Sequence, residues 1–182
     1  MEFTLVYRGQ LKPDKSAEVK DKWYIRREIH KQLAELWKQE PLYSHMQDSH
    51  NLLNNIVVDG NPQTNLTSII RKVDGFRFIP LVCLKLNLVA ELNVIFLRPE
   101  PPGLIITKGG DIDNRLKTLF DALRMPQTSD EIKDNAPEEG ENPFFCLLED
   151  DNLITKVSVT TDRLLEPLEP GNRYFVNLLM SV

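Results

Sequence analysis

Positive charge is what this sequence most lacks. Its 182 residues carry 22 Lys and Arg against 27 Asp and Glu, a net charge of −5. A chain that is basic all over and coats nucleic acid is thereby excluded, although a local basic surface is not. Cysteine is scarce too. Cys83 and Cys146 both sit in apolar runs and read as small buried hydrophobes, not as a disulfide framework. A cysteine pair alone does not close a zinc site. The histidines, His30, His45 and His50, have no helical ligand spacing with one another, which leaves them surface or capping roles. No apolar run approaches ~20 residues, so no membrane span is expected. Met1-Glu2-Phe3-Thr4 has neither a basic n-region nor an apolar h-region. No secretory leader is expected, the expected location is the cytoplasm, and the Asn65-Leu66-Thr67 sequon is expected to be silent.

What is present suits a single domain over residues 1–182, long enough to bury a substantial core. Phe3 to Tyr7 alternates and predicts a first strand. A helix is expected to start near Ser16 and to end at Pro41, with Val19, Trp23, Ile29, Leu33 and Leu36 close to one face. Lys20, Arg26, Arg27 and Lys31 fall largely on other faces and read as solvated. Residues 42–65 carry little signal and predict a weakly structured insertion, with one short strand at Ile56-Val57-Val58. Asp74-Gly75 between apolar runs predicts a two-residue hairpin, with Pro80 placing its second arm at an edge or bulge. Leu81 to Leu88 and Ala90 to Leu97 predict one bent strand or two. Asn114 to Arg124 predicts a short helix whose Leu116, Leu119, Phe120 and Leu123 pack on a sheet. Residues 127–143 are polar, acidic and proline-bearing, and predict a second weakly structured insertion. Phe144 to Leu148, Leu153 to Thr160 and Arg173 to Met180 predict further strands. The expected class is α+β: a mixed or mainly antiparallel sheet, a long N-terminal helix, and a short motif helix packed on it.

The chemistry-bearing residues fall in two clusters. Asp111 and Asp113 follow Gly109-Gly110 at the mouth of the motif helix. In extended backbone, residues two apart point the same way, and two like carboxylates repel unless a cation sits between them. Magnesium takes two or three protein oxygens and leaves room for water and a phosphate. A helix N-cap accounts for Asp111 alone. Lys117, one turn after Asp113, reads either as an i,i+4 ion-pair partner or as a cation near a reacting phosphate. Asp121 reads as a surface partner of Lys117 or Arg124. Glu149-Asp150-Asp151 forms the second cluster, and Asp150 and Asp151 are the candidates to complete a metal site.

Asp111-Ile112-Asp113-Asn114, then Lys117, then Phe120-Asp121-Ala122-Leu123, resembles the core motif of RusA-type Holliday junction resolvases. Leu148-Glu149-Asp150-Asp151-Asn152, trailed by Lys156, fits that family's second acidic element. The resemblance spans roughly residues 92–159. It implies a homodimeric, magnesium-dependent endonuclease (manganese a possible substitute) that cuts four-way DNA junctions in recombination and repair. By position it implies Asp111, Asp113 and Asp151 as metal-binding catalytic residues, Asp150 as a further metal ligand, and Lys117 as the group at the phosphate. The basic residues usual before the first aspartate are here Gly109-Gly110, with Lys108 nearby. Two other readings stand beside it. One is a catalytically inactive relative that serves as a binding or regulatory module. The other is a metal-dependent enzyme acting on RNA or a nucleotide.

Overall fold

The computed structural model describes residues 1–43, 69–98 and 112–165, together with the backbone of the last strand, Phe175–Ser181. The architecture is α+β. β1 (Thr4–Gln10) buries Leu5, Tyr7 and Gly9 and exposes the residues between them, the alternation of a half-buried strand. A 3-10 turn at Asp14–Ser16 takes up the residues where the first helix was expected to begin. α1 (Val19–Leu36) then opens on a capping box between Glu18 and Asp21, and the Glu18 amide donates to Asp21 Oδ2 at 2.9 Å. Trp37 caps its C-terminus, so the helix stops well before Pro41.

Among the described residues the remaining strands complete two sheets. One has the order β1-β7-β4-β6, with β4 (Ala90–Arg98), β6 (Ile154–Arg163) and β7 (Phe175–Ser181); β7 runs antiparallel to both β1 and β4, and β6 parallel to β4. The other has the order β2-β3-β5, with β2 (Arg71–Val73), β3 (Phe76–Val82) and β5 (Phe144–Leu148); β2 is antiparallel to β3 and β5 parallel to it. The expected single mixed sheet is thus two. Asp74 and Gly75 have φ of 45° and 86°, the two positive values a type I′ turn requires. Pro80 lies in the middle strand of its sheet, yet beyond the last residue that pairs with β2. Its missing N–H therefore costs no β2–β3 ladder bond.

Two sequence expectations are corrected. Leu81 to Leu88 is not a strand throughout. β3 ends at Val82, and Leu84–Leu86 forms a 3-10 turn closed by Asn87 at φ 52°. The run is apolar but faces outward: Leu84, Leu86, Leu88 and Val89 are exposed. Residues 127–143 are not weakly structured. Short helix α2 of this segment's flank, the motif helix (Ile112–Leu123), leads through Arg124 and Met125 into α3 (Ser129–Ile132), whose Ile132 is fully buried. Arg27 of α1 holds the buried carboxylate of Glu141 at 2.8 Å and Glu138 at 2.9 Å. Acidic residues that look disordering in sequence are here the counterions of a basic helix. The insertion expected at 42–65 lies, from residue 44 on, outside the described residues, as do His45 and His50.

One apolar core joins α1, α2 and the inner faces of both sheets, through residues such as Ile29, Leu33, Leu92, Phe96, Leu119 and Leu147. A second, aromatic cluster gathers Trp23, Phe76, Phe78 and Phe144 with Met125, Ile132 and Cys146. Phe144 meets Trp23, Phe76 and Phe78 edge-on at 5.6 to 5.8 Å, a favourable quadrupole geometry, while Phe76 and Phe78 stack at 5.3 Å. Cys83 and Cys146 are free and buried, and burial pushes the Cys146 thiol up to about 12. His30 is buried, not at the surface. Its Nδ1 accepts from the Phe145 amide at 2.9 Å, which places its proton on Nε2, facing the Gly140 carbonyl at 3.3 Å.

Candidate functional site

The motif helix α2 is amphipathic as its leucine spacing demands. Leu119, Ala122 and Leu123 are buried, with Leu116 and Phe120 packed beside them. Two polar residues go in as well. Arg115 Nη1 donates to the Leu11 carbonyl, and Thr118 Oγ1 to the Asn114 carbonyl at 3.3 Å. At the far end, Arg26 of α1 donates to the Asp121 carbonyl at 2.8 Å and to the Arg124 carbonyl at 3.3 Å. A cation on the last carbonyls of a helix satisfies orphan acceptors and complements the negative end of its dipole. Arg26 is only 3% exposed and stacks over Trp23 at 4.9 Å. Burial lowers its guanidinium to about 10. The solvated reading of Arg26 and Arg27 is therefore corrected: both bind elements far along the chain.

Asp111 lies outside the described residues. Asp113 sits exposed in the first turn of α2 and makes no ion pair among the described residues. Lys117, exposed one turn on, pairs with none of Asp113, Asp150 and Asp151. Its Nζ donates to Asp14 Oδ2 at 2.7 Å, which raises the lysine and lowers the Asp14 carboxyl below its ordinary value. Lys22 stands 3.6 Å from the same carboxylate and reaches Asp121 at 2.5 Å; Asp121 also pairs with Arg124 at 3.5 Å. The expected partnership of Asp121 with Arg124 is present, and no direct ion pair joins Asp121 to Lys117. Asp14 had no signal in the sequence beyond its place after Pro13, because its partners lie on two helices.

The second cluster divides its labour. Glu149 is structural. Arg71 Nη2 donates to its Oε1 at 2.6 Å, and the Leu84 amide to its Oε2 at 3.1 Å. Asp150 Oδ1 accepts from the Asn152 amide at 3.0 Å and caps the 3-10 turn Asp151–Leu153. Asp151 is exposed and makes no ion pair among the described residues; it lies within electrostatic reach of the Arg124 guanidinium, whose charge it helps hold. Arg124 follows the last turn of α2, whereas Asp113 occupies the first. Among the described residues no three His, Cys, Asp or Glu side chains form a set that could hold a metal ion. No helix of the described residues is long and apolar enough to cross a membrane. No protein-family model, curated protein or solved structure matches this chain.

Proposed function

We propose that this chain is a magnesium-dependent, structure-selective DNA endonuclease similar to the RusA-type resolvases, acting in the cytoplasm as a homodimer on branched DNA. One observation carries the reading: Asp111, Asp113, Lys117 and the Phe120-to-Leu123 run occur in order on one helix and its approach, followed after β5 by Asp150 and Asp151. The carboxylates of Asp113 and Asp151, exposed and without an ion pair among the described residues, support it. The donor set, Asp111, Asp113 and Asp151 with Asp150 beside them, is all oxygen, as magnesium prefers. Bound there, the metal would polarise a phosphate and activate a water. Asp113, in the first turn of α2 with Asp111 before it in sequence, would orient it, and Lys117, released from Asp14, would balance charge on the phosphate oxygens. A two-fold dimer matches the two-fold symmetry of a four-way junction, one nick per protomer.

The test is a gel assay of purified protein with magnesium and a synthetic four-way junction, alongside flap, duplex and RNA substrates. Paired nicks in the junction that vanish in Asp113→Asn are expected. No nicking of any DNA, with Asp113→Asn indistinguishable from wild type, rejects the proposal. Cleavage confined to RNA transfers the chemistry to another substrate.

A further inference from the structure

Lys72 and Arg77 stand directly opposite one another in the β2–β3 hairpin. Its turn has two residues, so Val73 and Phe76 form the hydrogen-bonded closing pair. The next pair out, Lys72 and Arg77, is the closely spaced, non-hydrogen-bonded one. Like charges directly opposite on a sheet destabilise it. A carboxylate nearby would relieve the repulsion, yet neither side chain has one among the described residues. Elsewhere Lys12, Lys22, Lys31, Lys117 and Lys156 each hold a carboxylate. Asp74, in the turn itself, pairs with neither cation.

The hairpin is also fixed in place. β3 pairs with β5 from Phe78 to Val82, and the neighbouring Arg71 clamps Glu149 at 2.6 Å. The two facing cations are thus built into the turn end of this sheet, level with the start of β5, while Asp150 and Asp151 follow the far end of that strand. An anion with charges spaced along a line would convert the repulsion into binding. Lysine offers it a point charge, arginine a planar fork.

We infer that the Lys72–Arg77 pair is a phosphate-binding element that takes the sugar–phosphate backbone of DNA at the hairpin end of this sheet, a strand's length from the acidic cluster. The inference rests on the reading of the chain as a DNA endonuclease, and it locates a local basic contact on a protein whose net charge is negative.

Fluorescence anisotropy of a labelled four-way junction, with calcium replacing magnesium, tests it between about 50 and about 200 mM salt. Lys72→Gln/Arg77→Gln is expected to weaken binding about tenfold or more at the low end. The slope of log affinity on log salt should become shallower by about 2, near 0.9 per lost phosphate contact. Lys72→Glu, which sets a carboxylate opposite Arg77, should raise the thermal midpoint while lowering DNA affinity. A salt slope unchanged in the double variant, a wild-type protein that binds no DNA, or a Lys72→Glu protein that loses stability and affinity together overturns the inference. Cleavage in magnesium is scored separately. A slope that depends on Lys72 and Arg77 without any cleavage removes the nuclease reading and leaves the phosphate contact standing. Cleavage with a slope indifferent to both residues does the reverse.

Discussion

Lys117 Nζ donates to Asp14 Oδ2 at 2.7 Å across 103 positions of sequence. The lysine that the proposed chemistry needs at a phosphate is thus held by a carboxylate from the 3-10 turn before α1. An exposed ion pair is weak and screened by solvent, so a phosphate can compete for the ammonium. Asp14→Asn is expected to raise kcat/KM for junction cleavage, by no more than about fivefold, and to leave the thermal midpoint nearly unchanged. Lys117→Ala should lower turnover far more than DNA affinity. A fall in kcat for Asp14→Asn would show that Asp14 aligns the lysine rather than competing for it.

Asp150 and Asp151 separate by their hydrogen bonds. Asn caps a turn as well as Asp does, so Asp150→Asn should preserve the bond from the Asn152 amide and the fold. Asp150→Ala should cost about 1 kcal/mol. Asp151 has no such structural duty, and Asp151→Asn should leave stability intact while reducing magnesium-dependent turnover about 100-fold or more. Chemical denaturation and single-turnover cleavage on the three variants check this. Equal activity in wild type and Asp151→Asn would take Asp151 out of the site.

The neutral His30 makes the fold sensitive to mild acid. Burial holds its imidazole below the ordinary value of 6.5, against opposing contributions from Gly140, Glu141 and Phe145. The unfolded chain therefore binds the proton more readily than the folded one. The stability due to neutral His30 is full above pH 6.5 and is lost as pH falls from there through the lowered folded value. Thermal melts from neutral pH to about pH 5 should show a falling midpoint in wild type. His30→Gln should flatten that slope. Parallel slopes in the two proteins would assign the acid sensitivity to other groups.

Short-range chemistry was legible in the sequence. Asp74-Gly75 announced its turn, the leucines of α2 their helix, and Phe144 to Leu148 a buried strand. What failed to show were partners distant in sequence. Acidic residues of 127–143 carry no sign that Arg27 neutralises them, and no period marks Arg26 as the cap of another helix. The apolar run at Leu84 to Leu88 misled for a related reason: hydrophobicity alone does not reveal that a 3-10 turn faces it outward. At the candidate site, Asp113, Lys117, Asp150 and Asp151 stood out as residue types. Their division into an unpaired acid, a tethered lysine and a turn cap depends on Asp14 and on the backbone after β5, and neither is written in the motif.

The bonds from Arg26 to the last carbonyls of α2 span 95 and 98 positions of chain. A twelve-residue helix is marginal by itself in water. Its C-terminal carbonyls gain their partner only once α1 has docked, after a long loop has closed. Long-range closure of this kind is slow relative to local helix formation. The motif helix is therefore expected to become firm late in folding, and the chain does not carry an assembled acidic site until its two halves have met.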